Sequence, residues 1–186
     1  MFSDLIILRH GCRRYINRRY GWECGGPNMI GKTVTKLSVK IAVLKLPPNY
    51  TCDGEDVSPA IGLGGVDIDR TKSLALIADD PDSPGGGGFT HWLMWNIEPV
   101  RIIPEAIAKD AEIAFPFSAR QGENSFGKVG YSGPCPPRGE QHRYQFRVFG
   151  LDADLDLPAG AKKKALLDAM EGHVVQYGDT YVLYGR

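Results

Sequence analysis

The sequence predicts a mainly β protein: an antiparallel β-sandwich with one or two peripheral helices. Three observations carry this expectation. Short runs of β-branched, aliphatic and aromatic residues recur from residue 33 onward, several with the two-residue period of half-buried strands. Gly- and Pro-rich loops separate them. One segment alone has the composition and spacing of a clear helix. Many strands with few helices pack as sheet on sheet. The chain has 186 residues, 42% of them hydrophobic. That is enough apolar material for one domain with a core, and too much for general disorder.

Residues 1–31 stand apart from the rest of the chain. They are basic, poorly periodic and broken by Gly25-Gly26-Pro27. The expected organisation is a basic N-terminal arm over 1–31, disordered or a misassigned start, and a working domain over 32–186 that begins near Met29. Residues 1–40 hold eight Lys and Arg against Asp4 and Glu23, although the whole chain balances 22 basic against 22 acidic side chains. A solvated tail is the ordinary reading of such a run, and adhesion to nucleic acid or membrane through Arg9–Arg19 is its rival. The zero net charge gives no reason to expect nucleic acid as a partner.

The first strand is expected over 33–43, where Val34, Leu37, Val39, Ile41 and Val43 nearly alternate. The run 73–78 is continuously apolar, as in a strand buried on both faces. Further strands are expected at 91–97, 143–151 and 181–184. In 143–151, Tyr144, Phe146 and Val148 share one face because successive side chains point to opposite sides. Residues 161–170 form the helix, with Leu166, Leu167 and Met170 at core-facing spacing and Gly172 as its stop.

Several chemistries fall away on context. The run from Gly26 to Thr33 fits the G-x-x-x-x-G-K-[ST] phosphate loop by letter. It lacks the preceding buried strand and the following helix whose N-terminus would cradle phosphates. The opening Leu8-Arg9-His10-Gly11 resembles that of histidine phosphatases without the helix that chemistry requires. Gly130-Tyr131-Ser132-Gly133 is not a nucleophile elbow. Cys12, Cys24, Cys52 and Cys135 lack the paired spacing of a zinc site. No stretch approaches the ~20 apolar residues of a membrane span. The run at 5–8 is too short for an export signal and comes after the acidic Asp4. The expectation is a cytoplasmic protein with no cofactor and no metal.

Three segments remain in which polar groups sit in stiff loops. In Asp79-Asp80-Pro81-Asp82-Ser83-Pro84, two prolines fix the backbone around Asp80 and Asp82 at the end of a buried strand. Thr90-His91-Trp92 opens an aromatic strand. Gly133-Pro134-Cys135-Pro136-Pro137 leads into His142-Arg143-Tyr144, bringing a second imidazole and a phenol. Each has a plainer reading: a structural hydrogen-bonding histidine, as also for His173, or turn carboxylates capping loop amides.

Together these segments resemble the phosphatidylethanolamine-binding protein family, in particular its bacterial and archaeal branch of Raf kinase inhibitor-like proteins. The likeness extends to 50–59 and to Glu171-Gly172-His173-Val174, and it runs from about Leu46 to the end. Ile61-Gly62-Leu63 departs from it where that branch carries an aromatic. The resemblance implies a β-sandwich with a small anion-accepting cavity at one end. Asp80, Asp82, His91, Pro137, His142 and Tyr144 would be its ligand-binding residues. The ligand would be a phosphate or carboxylate group, or a phospholipid head group. The function implied is binding, with inhibition of a protein kinase or serine protease as a regulatory role and no catalysis. A phosphoester hydrolase or other acid–base enzyme built on the same Asp and His residues is the alternative. A homodimer is left open. Two carboxylates repel an anion, so the expectation is that they orient the imidazoles and raise their pKa values, or face a ligand ammonium. The resemblance also places Cys52 and Cys135 near the same end, where a disulfide could close. A reducing compartment favours two unconnected thiols.

Overall fold

The computed structural model describes residues 33–84 and 88–186, and of the preceding segment only the backbone of β1 (Arg14–Ile16) and β2 (Trp22–Cys24), an antiparallel pair. The rest of the basic arm lies outside the described residues. So do the histidine-phosphatase-like opening and the phosphate-loop-like run up to Lys32.

In chain order the domain contains β3 (Thr35–Lys36), β4 (Ser38–Lys40), β5 (Ile61–Gly64), β6 (Ser73–Asp80), β7 (Phe89–Ile97), β8 (Ile102–Ile103), β9 (Glu112–Ile113), β10 (Ala119–Glu123), β11 (Gln141–Leu151), β12 (Gly160–Lys162), α1 (Lys163–Met170) and β13 (Val174–Gly185). The main sheet runs β12-β10-β7-β6-β11-β13-β3, with β9 added on β10, and a second sheet runs β4-β5-β8. The mainly β expectation holds. Pairing is antiparallel in the body of the main sheet and parallel at two edges, where β12 meets β10 and β3 meets β13.

The predicted strand over 33–43 is split. Leu37 alone separates β3 from β4, so the chain leaves the edge of one sheet and enters the other within a residue. The crossing is tight: Leu37 N–H donates to the Tyr177 carbonyl at 2.8 Å, and a Cβ at Gly178 would meet the Leu37 oxygen at 2.0 Å. Only glycine allows that approach.

The long central strands follow from their composition. All eight residues of β6 are buried, as a continuously apolar run between two covered faces requires. On one face, Leu74, Leu76 and Ala78 pack with Trp92, Met94, Tyr144, Phe146 and Val148 against Val39, Ile61, Leu63 and Ile103 of the small sheet. On the other, Ala75, Ile77, Leu93, Trp95, Phe149 and Leu151 pack under Leu166 and Met170 of α1. The helix starts two residues later than its composition predicts, because Gly160–Lys162 pairs with β10 before the chain turns helical. Leu167 is half-buried at the edge of that core, and Gly172 adopts φ +80° as the chain leaves the helix.

Candidate functional site

The site lies at one end of the main sheet, and its first group is the last residue of β6. Asp80 is buried at 4% exposure on the face shared with Ala78, because even-numbered residues of this strand face the small sheet. Its Oδ1 accepts the amide of Asp82 at 2.9 Å, so the carboxylate also shapes the turn after the strand. Asp82 points elsewhere. Its carboxylate accepts from the Arg143 amide at 2.9 Å and from that guanidinium at 3.0 and 3.2 Å. These bonds hold the Asp82 carboxyl below the usual range. The two carboxylates thus have separate partners, one inside and one at the surface.

His91 reaches the same face through a break in its strand. In the β6–β7 ladder Ala78 opposes Trp92 and Asp79 opposes Thr90, leaving His91 as the extra residue of a β-bulge. Strict alternation would send His91 to the helix side with Leu93 and Trp95. The bulge turns it onto Tyr144 instead, ring centroids 5.2 Å apart and edge to face. It also turns Thr90 toward the helix side, where its hydroxyl donates to buried Asp79 at 2.8 Å. His91 Nδ1 donates to the carbonyl of Ser132 at 2.7 Å, and the Ser132 amide returns a bond to the His91 carbonyl at 3.0 Å. Buried Asn124 fixes that loop by donating to the Gly130 carbonyl at 2.9 Å and to the Ser132 hydroxyl at 3.0 Å.

The third contribution comes from the start of β11. His142 Nδ1 lies 2.7 Å from Asp80 Oδ2 and its Nε2 lies 3.0 Å from Glu140 Oε2. Carboxylates face both nitrogens, an arrangement that favours the doubly donating imidazolium. Two residues on, Tyr144 stacks beside His142 with centroids 6.5 Å apart. Its hydroxyl is buried beside the Asp80 carboxylate and makes no well-formed hydrogen bond among the described residues. Pro137 is exposed, and its carbonyl accepts the Glu140 amide at 3.1 Å. Its place is in the turn that aims Glu140 at the imidazole. Asp80, His91, His142 and Tyr144 therefore converge, while Asp82 and Pro137 shape the surrounding backbone.

The two imidazoles are driven in opposite directions. At His142, burial lowers the pKa but the bonds to Asp80 and Glu140 outweigh it, and the net shift is upward. At His91, burial among Phe89, Phe126 and Tyr144 prevails over the Ser132 carbonyl and the fields of Asp80 and Asp79, and the shift is downward. The upward pull expected from the carboxylates is present at His91, but burial outweighs it. Burial, with help from the fields of Asp80 and Asp82, pushes the Tyr144 hydroxyl well above the ordinary phenol range, so it stays protonated. Among the described residues no group of three or more His, Cys, Asp or Glu is arranged to hold a metal ion.

The loops behind the site are joined covalently. Cys52 and Cys135 form a disulfide, S–S 2.08 Å with Cα atoms 5.4 Å apart. This corrects the preference for free thiols. The two loops are already held at bridging distance by Cys52 N–H donating to the Pro134 carbonyl at 3.1 Å and Gly133 N–H donating to Asp56 at 2.5 Å. A cleft of about 460 Å³ opens on the helix side of Thr90, but its lysines are paired: Lys162 with Glu123 at 3.2 Å, Lys163 with Asp79 at 2.9 Å and Lys164 with Asp168 at 2.5 Å.

Residue patterns alone did not single out Glu140, Ser132 and Asn124. Ser132 acts through its backbone carbonyl, which any residue carries. Glu140 lies two residues before His142, and its charge was the one available signal. His173, expected as a structural hydrogen-bonder, pairs with Asp152 at 2.9 Å.

Residues 41–185 match the family model described as phosphatidylethanolamine-binding protein. A UPF0098 protein of Pyrococcus horikoshii is 47% identical over 192 residues, covering 100% of this chain and 87% of its own length. A UPF0098 protein of Aquifex aeolicus is 45% identical over 145 residues, covering 76% of this chain and 82% of its own. Among solved structures, a homologue described as a phosphatidylethanolamine-binding protein from Chlamydia trachomatis aligns with TM-score 0.70 and 33% identity, over 82% of this chain and 98% of that one. YbcL of E. coli aligns with TM-score 0.73 and 27% identity, over 81% and 98%.

Proposed function

Because this chain belongs to the phosphatidylethanolamine-binding protein family and is a ligand-binding protein of that type, we propose that it binds a small anionic group between His91, His142 and Tyr144. The observation that carries this reading is the Tyr144 hydroxyl. It is buried, kept protonated by its surroundings and, although Asp80 lies close, without a well-formed hydrogen bond among the described residues. A buried donor left unmade is costly, so such a group marks a place where an acceptor docks. The imidazolium of His142 supplies the positive charge beside it, and Asp80 fixes that ring from behind.

We read the role as binding without bond making, in keeping with membership of this family. Inorganic phosphate, titrated into the protein while amide and imidazole resonances are followed, tests the reading. Phosphate should shift His91, His142 and Tyr144 together. Tyr144→Phe should weaken it by about tenfold, the value of one hydrogen bond to a charged acceptor, without loss of folding stability. Equal affinity in the variant and the wild-type protein would reject this site.

A further inference from the structure

The bonding pattern around His91 goes further and names the kind of anion. We propose that the site takes an oxyanion that carries a proton, and discriminates against fully ionised ones. This rests on the anion-binding reading above.

The deciding atom is Nδ1 of His91. Its partner at 2.7 Å is the Ser132 carbonyl, which can only accept, so Nδ1 bears the hydrogen. The ring is 4% exposed and enclosed by Phe89, Phe126 and Tyr144, with centroids 5.3, 5.6 and 5.2 Å away. Those walls disfavour a second proton. The charged groups acting on it are Asp80 on its own face and Asp79 across β6, joined by the nearby Ser132 and Gly133 carbonyls. All favour the charged ring, and burial outweighs them. In the neutral ring Nε2 is then a bare lone pair. No described residue donates to it.

A ligand seated between His91 and Tyr144 therefore meets an acceptor on one side and a donor on the other. The two nitrogens of His142 are both engaged, by Asp80 and Glu140. A sulfate or a phosphodiester offers only acceptor oxygens and would set a lone pair against the Nε2 lone pair. Inorganic phosphate keeps a hydroxyl at neutral pH. It can donate to His91 Nε2 while another oxygen accepts from Tyr144. Buried polar groups that can be satisfied by one ligand and not by its isostere discriminate strongly.

The experiment uses the intact wild-type protein at pH 7.5 and constant ionic strength. Inorganic phosphate, sulfate and dimethyl phosphate are titrated separately, with binding followed through His91, His142 and Tyr144 resonances. Sulfate matches phosphate in shape, and dimethyl phosphate stands for the diester of a lipid head group. Phosphate should bind at least tenfold more tightly than either. Equal affinity for phosphate and sulfate would overturn the proton requirement and leave the anion site standing. Tighter binding of dimethyl phosphate than of phosphate would overturn it too, in favour of a lipid-type diester. No binding by any of the three would overturn both readings.

Discussion

At the scale of single residues, what matters is that two imidazoles facing one phenol are held in different states by different acceptors. His142 bonds two carboxylates, whereas His91 bonds a carbonyl inside an aromatic enclosure. Against the common reference of 6.5, His142 should titrate above and His91 below. By linkage, the raised pKa of His142 contributes stability that is fully present below 6.5 and lost as pH rises through its folded value. The depressed pKa of His91 contributes stability present above 6.5 and lost as pH falls through its folded value. Ring-nitrogen NMR over pH 4–9 checks this directly, and a single shared midpoint for both rings would contradict it. Asp80, His91, His142 and Tyr144 were legible because their side chains carry the chemistry and sit beside prolines and glycines. The Ser132 carbonyl that fixes the His91 tautomer was not, since a backbone acceptor has no signature in residue type.

At the scale of elements, a continuously apolar run located the strand at 73–78 and β-rich runs those at 91–97 and 143–151, but simple alternation along the second misplaces His91. Alternation puts it on the helix side, while the bulge opposite Ala78 and Asp79 puts it in the site. A bulge is set by how two strands fit, so one strand's pattern does not reveal it. The split of the run at 33–43 has a similar origin, in the sheet change at Leu37. The turn from Pro137 to Glu140 sets the outer partner of His142. Gly139, at φ +87°, lets it reverse, and the Glu140 carboxylate lands on His142 Nε2 with its side chain 56% exposed. In the proposed binding mode an incoming anion competes with that carboxylate for the same donor. Glu140→Ala should therefore raise phosphate affinity, by roughly threefold to tenfold if one exposed charge-assisted bond is displaced. It should also lower the His142 pKa, because one of its two carboxylate partners is gone. Isothermal titration and the same ring-nitrogen spectra measure both. Unchanged affinity alongside a lowered pKa would show that the Glu140 carboxylate does not stand in the ligand's place.

At the scale of the whole molecule, the site depends on two loops far apart in sequence. The Cys52–Cys135 bridge spans 83 residues and encloses β5 through β10. Constraining a loop of that length in the unfolded chain is worth roughly 2–4 kcal/mol. For a domain of this size, that corresponds to about 5–15 °C in unfolding temperature. Reduction, or the Cys135→Ser exchange, should lower the melting point by that amount. Binding should respond differently. The loops are also held by Cys52 N–H to Pro134, Gly133 N–H to Asp56 and the Tyr131 hydroxyl to the Tyr50 carbonyl at 2.7 Å. Gly133 has no room to move, since a Cβ there would meet the Tyr50 oxygen at 2.4 Å. Well below the melting point these contacts keep Ser132 on His91 without the covalent link. Phosphate affinity of the reduced protein should then stay within about threefold of the oxidised form at about 20 °C, a change smaller than one ordinary hydrogen bond. Calorimetric melting and phosphate titration on the same reduced sample separate the two effects. A large loss of affinity in protein that is still folded would mean that the bridge, rather than the packed loops, positions the site.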